Sequence, residues 1–183
     1  EKNFMNKPWE VVSKKEVFTD EFVAIEDWRV RHSNKEDRSY KMVRHKGDAV
    51  FVFGITKNNE VLVLKQFFMS SLDWRHTVIA GLVEQEDLET TAVRELKEEA
   101  GCVAREIVYL GKTLKGKWTL GYYHFFVATG VERVTKQSLE ESEAIEVEFI
   151  PFEKFRRILK DGTIHDVAGV ECAYRALDHL KLL

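Results

Sequence analysis

Apolar and polar residues alternate along three runs near the start of the chain, 9–18 (WEVVSKKEVF), 22–31 (FVAIEDWRVR) and 38–45 (RSYKMVRH). A period of two predicts three β-strands joined by polar turns. Two runs rich in β-branched residues follow, 49–55 and 61–67, with Lys57-Asn58-Asn59-Glu60 between them. That spacer is a turn signal, so the pair is expected to form a hairpin at the centre of a sheet. Residues 74–81, 107–112, 121–128 and 145–150 read as further strands, and 114–120 as a loop. The pattern changes to a helical one at 88–100, and again at 152–159 and 168–180, where two helices around an Asp161-Gly162 turn are expected to cover the sheet. With no internal repeat, low-complexity segment or linker, the chain reads as one α/β domain over 1–183. Residues 9–45 form an N-terminal β extension and 46–183 the core.

The helix at 88–100 carries the candidate chemistry. Asp87 can cap its start, Leu88, Ala92, Leu96 and Ala100 recur every four residues, and Gly101 supplies a stop. At about 100° per residue, Ala92, Val93, Leu96 and Ala100 share one arc, while Glu95, Glu98 and Glu99 share the next. Like charges three or four residues apart cost a helix about 0.2–0.5 kcal/mol per pair, so a convergence of three carboxylates is unfavourable unless a cation sits among them. A hard divalent ion such as Mg²⁺, which takes carboxylate, water and phosphate oxygens, suits this group. The alternative is a solvated acidic face, since Glu and Lys are common on exposed helices.

The longer pattern decides between them. The stretch 80–102 (AGLVEQEDLETTAVRELKEEAGC) is similar to the Nudix box, in which a Gly and a Glu precede Arg-Glu-aliphatic-x-Glu-Glu-x-Gly. Arg94, Glu95, Leu96, Glu98, Glu99 and Gly101 match, with Cys102 as the small apolar last position. Glu86 keeps its distance from Arg94, while the loop between Gly81 and Glu86 is one residue shorter than the pattern. The resemblance, which runs from about Trp9 to the end, implies an α/β/α Nudix sandwich with a mixed sheet. It also implies metal-dependent hydrolysis of a diphosphate, with Glu95, Glu98, Glu99 and the carbonyl of Ala80 as ligands of Mg²⁺ or Mn²⁺. Arg94 would orient a box carboxylate.

The extension at 9–45 resembles that of the ADP-ribose pyrophosphatase branch. This implies a homodimer through the N-terminal strands and a nucleoside diphosphate sugar as substrate, ADP-ribose first. By the same match, Glu141 and Glu143 of the acidic stretch 137–148 are candidates for the general base, Glu141 preferred, in reach of a metal-polarised water. Arg44, Trp28, Lys65, Lys115 and Trp118 are candidate substrate contacts. Lysines beside Trp118 can neutralise phosphate and stack a base, or can simply belong to an exposed loop. Arg44 can equally pair with a surface carboxylate, and Lys65 can snorkel from its strand. Phe68 stands where many relatives have an Arg, Thr77 where they have a Glu, and Ile79 where they have a Pro. The competing readings are a Nudix hydrolase of nucleoside triphosphates, dinucleoside polyphosphates or capped RNA, and a ligand-sensing module without catalysis.

Composition sets the bounds. The 183 residues are 44% hydrophobic and 32% charged with a net charge of −3, which suits a soluble fold and argues against a broad nucleic-acid or polybasic membrane surface. The longest apolar run, 49–55, is of strand length, and no signal peptide is evident. Cys102 and Cys172 match neither a metal spacing nor a disulfide framework, so a cytoplasmic setting is expected. Met5 is a plausible initiator, and residues 1–4 are expected to be foreign to the native protein.

Overall fold

Strands β4 (Ala49–Ile55) and β5 (Glu60–Phe68) are apolar on both faces because each face meets a different helical layer. The computed structural model describes residues 8–183, so the expectation about residues 1–4 lies outside it. Around β4 and β5 the strands are ordered β13 (Ile145–Pro151), β5, β4, β11 (Tyr122–Thr129) and β9 (Glu106–Leu114). β11 runs parallel to β4 and the β13, β5 and β4 neighbours run antiparallel, so the sheet is mixed and the hairpin is central, as expected.

Alternation along each strand sorts the core into two layers. Val50, Val52, Leu62, Leu64, Phe126 and Ala128 face Ala92, Leu96 and Ala100 of helix α1 (Leu88–Ala100). Phe53, Val61, Val63, Phe125 and Val127 face Phe155 and Leu159 of α2 (Phe152–Lys160) and Cys172, Ala173 and Ala176 of α3 (Val167–His179). The result is an α/β/α sandwich. Phe53, Phe125 and Phe155 are fully buried, and burying a side chain of that size contributes about 1.5–3 kcal/mol. Phe53 meets Phe155 edge to face with centroids 5.3 Å apart, so the outer helix is keyed to the sheet by shape.

One expected strand is two. The run at 74–81 divides into β6 (Asp73–Thr77), paired with β5, and β7 (Ile79–Leu82), paired with β4. The change of partner falls at Val78, whose full burial anchors the step. A short pairing of β8 (Cys102–Val103) with β12 (Glu132–Arg133) has no counterpart in the sequence pattern, since two residues are too few to show a period.

The chain clusters into two compact units, and the sandwich is the one made by Ala49–Thr113 and Tyr123–Leu183. The other comprises the described residues up to Asp48 with Leu114–Tyr122. It holds β1 (Glu10–Thr19), β2 (Val23–Arg31) and β3 (Asp37–His45) as an antiparallel meander, matching the three expected strands. The expected loop at 114–120 is partly a strand: β10 (Thr119–Leu120) adds parallel to β3. The extension therefore recruits a segment distant in sequence.

Candidate active site

Helix α1 begins and ends on local chemistry. Asp87 accepts the N–H groups of Glu89 and Thr90, both at 3.0 Å, and the Thr90 hydroxyl at 2.8 Å, which satisfies donors the first turn leaves unpaired. At the other end Gly101 takes φ 66°, and its N–H donates to the carbonyl of Lys97 at 2.9 Å. The N–H groups of Val134 and Thr135 donate in turn to the carbonyl of Gly101, at 2.9 and 3.0 Å. A β-carbon there would drive into the Thr135 carbonyl, so the position needs glycine for space as well as for φ.

Arg94 organises the acids. Its guanidinium meets Glu86 at 2.6 Å, Glu98 at 2.6 Å and Glu95 at 2.9 Å. The loop shortened by one residue thus still delivers Glu86 to Arg94. Burial works against the charge on Arg94, but the bonds to Glu86 and Glu98 outweigh it and raise its pKa. Glu95 is only 7% exposed, and burial pushes its carboxyl up to about 7 in spite of Arg94. Glu99 is 2% exposed; burial lifts its carboxyl well above the usual range, although Oε2 accepts the N–H of Ala80 at 2.9 Å. A β-carbon on Gly81 would overlap the Glu95 carboxylate, so β7 and α1 approach this closely only with glycine at that position.

Arg94, Glu95 and Glu98 border a cavity of about 430 Å³, lined also by Ala80, Glu140 and Glu143 among others. The expected convergence of three box carboxylates needs correction. Among the described residues no set of three His, Cys, Asp or Glu side chains is gathered closely enough to enclose a metal. Glu99 turns inward to the backbone of β7, and Arg94 holds Glu95 and Glu98. The donor set nevertheless fits a hard cation. It offers only oxygens, and burial first, with neighbouring carboxylates adding to it, raises the proton affinity of Glu95 and Glu99.

The second acidic group divides. Glu143 lines the cavity and interacts electrostatically with both Glu95 and Glu99. Glu141, preferred on sequence, sits exposed in a turn and does not line it. The turn is closed by the N–H of Glu143 on the carbonyl of Glu140 at 3.1 Å, and by the N–H of Glu140 on Glu143 Oε2 at 2.9 Å. Glu84, Ser138, Leu139 and Glu140 also line the cavity and were not legible beforehand, because no period or motif marks a loop residue's direction.

The remaining candidates lie elsewhere. Lys65 pairs with Glu146 at 3.0 Å and lies 5.1 Å from the centre of the Trp74 ring, outside the cavity lining. In the N-terminal unit Arg44 is held by Glu26 at 2.8 Å and Glu16 at 3.0 Å, the surface-pair alternative. Lys115 donates to the carbonyl of Gly47 at 2.7 Å, and burial lowers its pKa. Trp28 donates to Glu26 at 2.8 Å. With Trp9, Tyr40, Met42 and Trp118 it lines an apolar cup of about 210 Å³, where Trp118 stacks on Tyr40 at 5.1 Å.

Comparison with known proteins gives the same reading of the sandwich. The NUDIX domain matches residues 45–168. Over 175 residues the chain is 26% identical to an ADP-ribose pyrophosphatase of Bacillus subtilis (strain 168), covering 93% of this chain and 91% of the relative. It is also 26% identical over 159 residues to a methanol dehydrogenase activator of Bacillus methanolicus, with 85% of each chain covered. A solved structure described as an ADP compounds hydrolase matches with a TM-score of 0.82, over 96% of this chain and 95% of that one; at 18% identity it speaks for the fold alone. A family match over most of the chain, falling on a helix whose Arg94 gathers Glu86, Glu95 and Glu98, makes this chain a member of the NUDIX family and a pyrophosphohydrolase of that family.

Proposed function

We propose that the protein hydrolyses the diphosphate of a nucleoside diphosphate sugar, ADP-ribose first, to a nucleoside monophosphate and a sugar phosphate. The observation that carries the reading is the cavity where Glu95 and Glu98 of α1 and Glu143 of the later loop share one wall set. The likeness to an ADP-ribose pyrophosphatase over nearly the whole chain supports the substrate.

Glu95, Glu98 and the carbonyl of Ala80 would hold Mg²⁺ or Mn²⁺, with Glu99 backing Ala80 from inside. Such an ion, when bound, supplies charge neutralisation on the diphosphate and polarises water. Arg94 orients Glu95 and Glu98 by ion pairs, a supporting role for the residues that contact the metal. Glu143 takes the proton of the attacking water, which makes it the base in preference to Glu141. A second copy would cover β1, an edge strand exposed along all ten residues, with Val11, Val12, Val17 and Phe18 among them. A monomeric mass by light scattering would remove that dimer.

The deciding assay is phosphatase-coupled phosphate release from ADP-ribose, other nucleoside diphosphate sugars, dinucleotides and nucleoside triphosphates, each with Mg²⁺ and with EDTA. Metal-dependent turnover of ADP-ribose, invisible until phosphatase is added, is expected. Turnover confined to triphosphates overturns the substrate. Glu143→Gln is expected to lose about 10²–10⁴-fold in kcat, the usual worth of a general base, while Glu141→Gln keeps it.

A further inference from the structure

The loop 138–144, which carries Glu140 and Glu143, is held at its start by backbone bonds to the end of α1. Besides the contacts to Gly101, the N–H of Ser138 donates to the carbonyl of Glu98 at 2.9 Å. The loop leaves into β13, where Ile145 pairs with Gln66. One side chain joins both ends to the helix. Gln137 Nε2 lies 2.7 Å from the carbonyl oxygen of Glu99 and 3.2 Å from that of Ile145. Both partners are acceptors, so the group facing them is the NH₂, with one proton for each. The Glu99 carbonyl belongs to the last turn of α1, where carbonyls lack helical partners, and Gln137 supplies one. Between the anchored ends, Leu139 packs on the apolar layer that α1 shares with the sheet.

We infer that Gln137 is a positioning residue: its amide clamps both ends of the loop 138–144 to the C-terminal turn of α1 and so sets Glu143 against Glu95 and Glu98. The catalytic part of this inference rests on the proposed role of Glu143. The clamp itself does not, and the two are separable by experiment. Asparagine would withdraw the amide by one methylene, leucine would remove both of its bonds to the carbonyls, and lysine would keep a donor.

The test is peptide-level hydrogen exchange on the whole protein, together with kinetics of metal-dependent hydrolysis. In Gln137→Leu, exchange of 138–144 is expected to rise at least about tenfold while 88–98 stays protected, and Gln137→Lys is expected to restore part of that protection. kcat is expected to fall about ten- to a hundredfold, the cost of misplacing a reacting group by about an ångström, with KM nearly unchanged. The loss should vanish when Gln137→Leu is placed on Glu143→Gln, because the clamp acts through that carboxylate. Should Gln137→Leu fail to fold, Gln137→Asn takes its place with the same expectations. Unchanged exchange at 138–144 overturns the clamp whatever the base is. Looser exchange with an equal kcat loss in both backgrounds overturns the positioning of Glu143. Full activity of Glu143→Gln removes the base assignment, and with it the catalytic part, leaving the clamp as a loop anchor.

Discussion

Glu95 is buried beside its own kind, and the metal-free protein should lose stability because of it as pH rises. Its carboxyl titrates at about 7 in the fold against an ordinary value of 4.5. Below about pH 4.5 it is protonated in both folded and unfolded states and costs nothing. Between there and pH 7 the unfolded chain releases the proton and the folded one keeps it, so the folded state binds more protons and stability falls with pH. Each tenfold change in proton affinity is worth about 1.4 kcal/mol, which makes the loss about 3 kcal/mol once pH 8 is reached. For a chain of this size that corresponds to roughly 6–12 °C in melting temperature. Thermal melts in EDTA from pH 5 to 8.5 on the native protein and on Glu95→Gln read the effect directly. The difference between the two should be smallest near pH 5 and grow as pH rises, with the variant the more stable at pH 8. Glu99 shifts in the same direction and feels the Glu95 charge, so the difference between the two proteins reads Glu95 together with its coupling to Glu99. Parallel pH profiles would refute the reasoning. Added Mg²⁺ should stabilise the native protein more than the variant at pH 8, since ligand binding to the folded state adds stability by mass action.

Other expectations follow from single contacts. Gly101→Ala should cost about 1–3 kcal/mol, because the position combines a left-handed φ with the Thr135 carbonyl in the way; urea unfolding would measure it, and a neutral result would mean the 134–135 segment yields easily. Gly81→Ala should displace the Glu95 carboxylate and lower kcat about tenfold or more, with KM little changed, as steady-state kinetics would show. Both cysteines are free and buried, and burial pushes the Cys172 thiol up to about 12. A thiol reagent at pH 8 should therefore leave Cys172 unlabelled in the native protein and label it in denaturant; rapid native labelling would contradict the packing of α3.

Much of the candidate site was legible from the chain because its box residues lie on one helix. A cap, a four-residue apolar recurrence and a glycine stop are local signals, and α1 spans the residues they predict, 88–100. The same spacing put Arg94 within reach of Glu98 one turn on. The strands of the N-terminal unit were equally legible because their alternation runs over nine or ten residues, and the central hairpin because two β-branched runs flank a turn signal. Sequence spacing could not say that Glu99 faces the backbone of β7 while Glu98 borders the cavity, because the approach of β7 decides it. Nor could it separate Glu143 from Glu141: two residues in a turn differ by the direction the turn takes, and the contacts of 134–138 with the end of α1 join segments far apart in sequence. The split of 74–81 between two neighbours and the recruitment of Thr119–Leu120 beside β3 are likewise pairings between distant segments. Local chemistry thus determined the elements and the acids they carry. Only the tertiary structure decided which acids meet, because a meeting depends on chain partners that lie far apart along the sequence.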